Sequence, residues 1–102
     1  MSETHTIRLG EPWQREALEH SLVRFTRNFG APRTLPVGER VWLCGEVLPS
    51  GTVTLNGEEL GRATGTFEFD ITGRVLPRNR LEIVGQTLGA IRLEIRIGAR
   101  TE

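Results

Sequence analysis

Twelve glutamates and one aspartate, Asp70, are the acids with which this 102-residue chain could run acid–base chemistry. Glycoside cleavage needs two such groups about 5–10 Å apart. On a β-strand every i, i+2 pair reaches that separation by geometry alone, so spacing marks no pair as catalytic and no catalytic residue is assigned. His5 and His20 stand apart, and no His- or Cys-rich stretch has metal-ligand spacing. A calcium site needs several oxygen ligands, and with a single aspartate neither a metal nor a cofactor is expected. Cys44 is the only cysteine, which rules out an internal disulfide. It has no histidine beside it in sequence and reads as a half-buried thiol rather than a nucleophile.

The chemistry that these residues suit better is recognition. Trp13 and Trp42 are the only tryptophans, and tyrosine is absent. A flat ring of this kind takes the C–H face of a sugar. Trp42 lies on the polar phase of its run, between Val41 and Leu43. Its ring therefore faces solvent, packs under a loop, or packs on the outer face beneath Trp13. All 13 basic residues are arginine. Guanidinium forks pair well with vicinal hydroxyls and with carboxylates. Arg27, with Arg24, Glu46, Arg62, Glu68, Arg92, Glu94 and Arg96, falls on polar phases or near them. Such residues either face a ligand or pair with one another across strands. The ligand-binding candidates are Trp13, Arg27, Trp42 and Asn56.

The elements that must position these groups are strands. Ile91, Leu93, Ile95 and Ile97 alternate with Arg92, Glu94 and Arg96, which is the period of a sheet with one buried face. The alternation recurs over 23–29, 41–47, 53–55, 67–71 and 81–83, with a shorter candidate over Thr4 to Leu9. Asn56-Gly57 marks a two-residue hairpin, since a type I′ turn needs positive φ at both central positions. Pro49-Ser50-Gly51 and Pro77-Arg78-Asn79 read as further turns. Ala31 to Pro36 reads as an extended connection, because each proline keeps its predecessor out of helical space. Gln14 to His20 is the one stretch that could form a helical turn or two. Short strands at such regular spacing indicate an all-β sandwich or barrel in a single domain.

Four of these pieces occur together: Leu55-Asn56-Gly57, Leu60-Gly61, Phe69-Asp70-Ile71-Thr72 and Asn79-Arg80-Leu81-Glu82-Ile83. Their order and spacing resemble the sugar-binding domain of family 2 glycoside hydrolases, the β-galactosidase and β-glucuronidase group. Leu9 to Trp13 and Phe25 to Pro32 resemble more weakly the entry and an early strand of that domain. The resemblance implies a galactose-binding-domain-like jelly-roll β-sandwich of about eight antiparallel strands over residues 1–102. It also implies that Asn56 occupies a hairpin that approaches sugar in some relatives. In those enzymes the catalytic carboxylates come from a separate barrel, and nothing in this sequence matches them. The motif residues also have local roles. Asp70, Thr72 and Asn79 can pin turns through side-chain to backbone bonds, and Gly61 permits close strand passage.

A formal net charge of zero provides no global field for nucleic acid or an acidic membrane. The first residues lack the basic and apolar regions of a signal peptide, and no apolar run is long enough to span a bilayer, so cytoplasmic residence is expected. Two functions are open. One is a non-catalytic carbohydrate-binding-like module. The other is a structural or interaction sandwich that self-associates, with Ile91 to Ile97 as a candidate edge, or docks on a separate glycosidase.

Overall fold

Residues 4–32 and 37–97 are described by the computed structural model. The strands are β1 (Thr4–Arg8), β2 (Gln14–Ala17), β3 (Val23–Gly30), β4 (Glu39–Leu55), β5 (Glu58–Asp70), β6 (Arg78–Gly85), β7 (Thr87–Leu88) and β8 (Arg92–Ile97). Period-two patterning places Leu93 and Ile95 in the core and leaves Arg92, Glu94 and Arg96 on the outer face of β8. The pairing is antiparallel throughout. It runs β1-β8-β4-β6-β3-β2, with β5 and β7 also paired to β4.

The long strand β4 makes this sheet a sandwich. Residues 39–44 pair with β8, whereas residues 52–55 pair with β6, and β5 follows β4 along both stretches. Between them the ladder shifts register. Val47 faces Gly65 and Gly51 faces Ala63, so Leu48, Pro49 and Ser50 bulge out against Thr64. Pro49 has no N–H to give a ladder, and a bulge tolerates it. The hairpin bends here and the sheet curls over. Val41, Leu43, Leu93 and Ile95 from one layer join Phe25, Val53, Leu55, Leu81 and Ile83 from the other in one buried cluster. The corner needs glycine. A Cβ at Gly51 would strike the carbonyl oxygen of Val84, and one at Gly85 would strike Val47 Cγ2.

The Asn56-Gly57 hairpin forms as expected, with φ of 53° and 85° and Leu55 paired to Glu58. Asp70 and Thr72 also act as expected. Thr72 donates its N–H and its hydroxyl to Asp70 Oδ1 at 3.0 and 2.6 Å, and its Oγ1 accepts the Val41 N–H at 2.9 Å.

Several expectations are corrected. Gln14–Ala17 is a strand, not a helix. All four of its residues are exposed, and the ladder to Thr26–Val23 outweighs a weak local helical preference. A 3₁₀ turn over Glu19–Ser21 follows, with His20 at φ 62°. Pro49-Ser50-Gly51 is a bulge inside one strand rather than a turn between two. Only Pro77 bends, and β6 begins at Arg78. The strand expected as a free edge, Ile91 to Ile97, is interior, since β8 is flanked by β1 and β4. The connection from Arg33 to Pro36 lies outside the described residues.

Candidate functional site

A groove of about 550 Å³ opens where β1 ends, between the segment leading into β2 and the segment leading into β8. Its construction follows from local bonds. The Leu9 N–H donates to the Ile91 carbonyl at 2.9 Å and carries the β1–β8 ladder one step further. Leu9, Trp13 and Ile91 are buried and form an apolar floor. Trp13 is fixed at two points: its indole N–H donates to the Leu9 carbonyl at 3.0 Å, and its backbone N–H donates to Glu11 Oε1 at 2.7 Å. Glu11 also accepts from Arg15 at 2.7 Å. The Arg15 bond and then the Trp13 N–H hold the Glu11 carboxyl below the usual range. On the opposite bank the Gly89 N–H donates to the Glu46 carbonyl at 2.8 Å.

Three guanidiniums (Arg8, Arg15 and Arg92) and one carboxylate (Glu11) line the groove. Arg8 and Arg92 are direct cross-strand partners, so they leave the same face of the sheet side by side. Arg92 donates through Nε to Glu94 at 2.6 Å. Arg8 is exposed and has no ion pair or side-chain hydrogen bond with another described residue.

The outer face of β8 continues from the groove as a closed network. Arg96 donates to Glu94 at 2.6 Å and to Glu68 at 3.1 Å, and it lies 3.6 Å from the Cys44 sulfur. Its guanidinium covers the Trp42 ring at 4.8 Å from the centroid. Bonds from Arg92, then from Arg96, hold the Glu94 carboxyl below its ordinary range. Burial, then the nearby Glu94 charge, raises the Cys44 thiol, which is fully buried and not poised as a nucleophile.

A second cavity of about 590 Å³ lies by the Asn56 hairpin, with Asn28, Arg78, Asn79 and Arg80 on its rim. The Asn56 and Asn79 amides are already engaged. Asn79 Oδ1 accepts from Leu76 N at 2.9 Å and from Asn56 Nδ2 at 3.0 Å, while its Nδ2 donates to the Leu76 and Phe29 carbonyls. Asn56 Oδ1 accepts the Arg80 N–H at 2.8 Å.

The four candidates from sequence are therefore not one site. Trp13 lines the first groove, chiefly as floor. Arg27 donates to the Gly10 carbonyl at 2.7 Å and braces that groove's wall. Trp42 lies on the adjoining sheet face and pairs across to Glu94. Asn56 belongs to the second cavity, which shares no lining residue with the first. Sequence reasoning missed Arg8, Glu11 and Arg15. The Glu11-x-x-x-Arg15 spacing was a visible signal, but Arg8 gains meaning only from the pairing of β1 with β8. Among the described residues no group of three or more His, Cys, Asp or Glu side chains is placed to hold a metal ion.

No family model matches the sequence, and no curated protein matches it. Solved structures do. The chain is similar to an FMN-binding β-glucuronidase from Facaelibacterium prausnitzii L2-6, with a TM-score of 0.74 and 17% identity over 90% of this chain and 22% of that one. It is similar to Bifidobacterium dentium β-glucuronidase complexed with coumarin-3-O-glucuronide, with a TM-score of 0.61 and 17% identity over 74% of this chain and 21% of that one. A β-glucuronidase from an uncultured Clostridium sp. gives a TM-score of 0.60 and 24% identity over 72% of this chain and 19% of that one. The likeness is one of fold: an all-β sandwich that also occurs as part of these enzymes. The chain spans about a fifth of the length of these enzymes.

Proposed function

We propose that this chain is a non-catalytic carbohydrate-binding module whose binding surface is the groove between Arg8, Trp13, Arg15 and Arg92. The observation that carries the reading is the groove itself, which combines an apolar floor with three arginines and a glutamate along its lining. Saccharide sites have this composition, because C–H faces need apolar contact and hydroxyls need forked donors and acceptors. The likeness to a fifth of each β-glucuronidase chain supports the carbohydrate context.

Calorimetric titration against a panel of mono- and oligosaccharides tests the proposal. Binding in the millimolar range or tighter is expected for at least one saccharide class, with no turnover of chromogenic glycosides. Silence across the panel overturns the binding role, and robust turnover overturns its non-catalytic character.

A second reading is a structural or docking sandwich with no sugar ligand. The aromatic rings favour it, since Trp13 is only 7% exposed and Arg96 covers Trp42. Neither ring offers an open stacking platform. On this reading the panel is silent and light scattering detects self-association or a complex with a separate glycosidase.

A further inference from the structure

Like charges directly opposite one another in an antiparallel pair are destabilising, yet Arg8 and Arg92 are paired in this way at the mouth of the groove. Their neighbours do not resolve the conflict. The Glu94 and Glu68 carboxylates are taken up by Arg92 and Arg96, Glu94 by both and Glu68 by Arg96, which leaves neither acid for Arg8. Glu11 is occupied by Arg15 and by the Trp13 N–H. Arg8 is left without a counter-charge among the described residues. An unopposed guanidinium beside a second one, next to a floor of Leu9, Trp13 and Ile91, lacks only an anion that also carries an apolar face.

We propose that the groove binds an acidic saccharide, with a sugar carboxylate held between Arg8 and Arg92 and the sugar lying in the groove over the edge of the Leu9–Trp13 floor, not stacked on an open aromatic face. This rests on the carbohydrate-binding reading above and names its ligand class. A carboxylate offers two oxygens to two forks, and the bonds are charge-assisted. The apolar floor lowers the local dielectric and strengthens them. A neutral sugar fills the same space but leaves Arg8 unpaired.

The experiment is calorimetry at low salt with the whole chain and three probes: an oligogalacturonate, a neutral oligosaccharide of equal length, and sodium acetate. The variants are Arg8→Ala, Arg8→Lys, and Arg62→Ala as an exposed arginine on β5 outside the groove. The acidic oligosaccharide is expected to bind at least about tenfold more tightly than the neutral one. Arg8→Ala should erase that preference, Arg8→Lys should keep part of it, and Arg62→Ala should change nothing. Equal affinity for acidic and neutral oligosaccharides overturns this inference while leaving the module reading in place. So does an unchanged preference in Arg8→Ala. Acetate binding as tightly as the oligogalacturonate also overturns it, since the site would then take any small anion. Failure of both oligosaccharides to bind removes the carbohydrate reading itself.

Discussion

Asn79 is 2% exposed, and both ends of its amide are bonded to Leu76, Phe29 and Asn56. Replacing it with alanine strands the buried Phe29 carbonyl and the part-buried Leu76 N–H and carbonyl, at about 1–3 kcal/mol each where water cannot enter. Asn79→Ala is therefore expected to lose about 3 kcal/mol or more in urea unfolding. Loss of less than about 1 kcal/mol would mean that the bonds are replaceable by water. The acid limb of stability is also a residue-scale property. Arg92 and Arg96 depress Glu94. Asp70 is raised by burial but brought below its ordinary value overall by bonds from Arg40 and Thr72. A carboxylate depressed in the fold binds fewer protons there than in the unfolded chain. Its stabilisation is present above the unfolded value, near pH 4, and is lost as pH falls through the folded one. Stability should be level above about pH 5 and fall on acidification. In Glu94→Gln the fall should be shallower; an unchanged pH profile would contradict the assignment. The motif roles of Asp70, Thr72 and Asn79 were legible in sequence because each acts within a few residues of itself. Arg8 was not, because its meaning lies in a strand more than eighty positions away.

At the scale of elements, β4 makes the fold by changing partners halfway along its length. Its corner depends on two glycines that face backbone and a valine methyl. Gly51→Ala and Gly85→Ala are expected to cost about 1–3 kcal/mol each, the usual range for overpacking. Gly73→Ala, where a Cβ meets nothing within 4 Å, should be close to neutral. Equal effects at all three positions in chemical denaturation would show that the corner is not tightly packed. The alternating strands and the Asn56-Gly57 hairpin were readable because period and turn chemistry are local. The bulge at Pro49 read as a turn because proline and glycine punctuate both, and only the continuing ladder to β5 distinguishes them. β2 was missed for the same kind of reason. Its four exposed residues have no buried phase, and it exists because β3 offers it an edge.

At the scale of the whole molecule, curling one sheet over one core brings three stretches, residues 6–15, 88–92 and the Arg27 brace, to a common end of the sandwich. No single stretch contains the site. Composition therefore showed arginine-rich polar phases without showing where they converge. The zero net charge means that attraction for an anionic ligand is local, so affinity for an acidic oligosaccharide should weaken as salt rises from 0 toward about 1 M, where the screening length falls to about 3 Å. A salt-independent affinity would indicate contact through the apolar floor alone. The location of binding decides most directly whether this groove is the site. Nitrogen-15 chemical-shift mapping of the chain with an acidic oligosaccharide reads that location residue by residue. Perturbations are predicted at the Arg8, Gly10, Gly89 and Arg92 amides and at the Trp13 indole N–H; perturbations confined to Asn56, Arg78 and Arg80, or none at millimolar ligand, would contradict it.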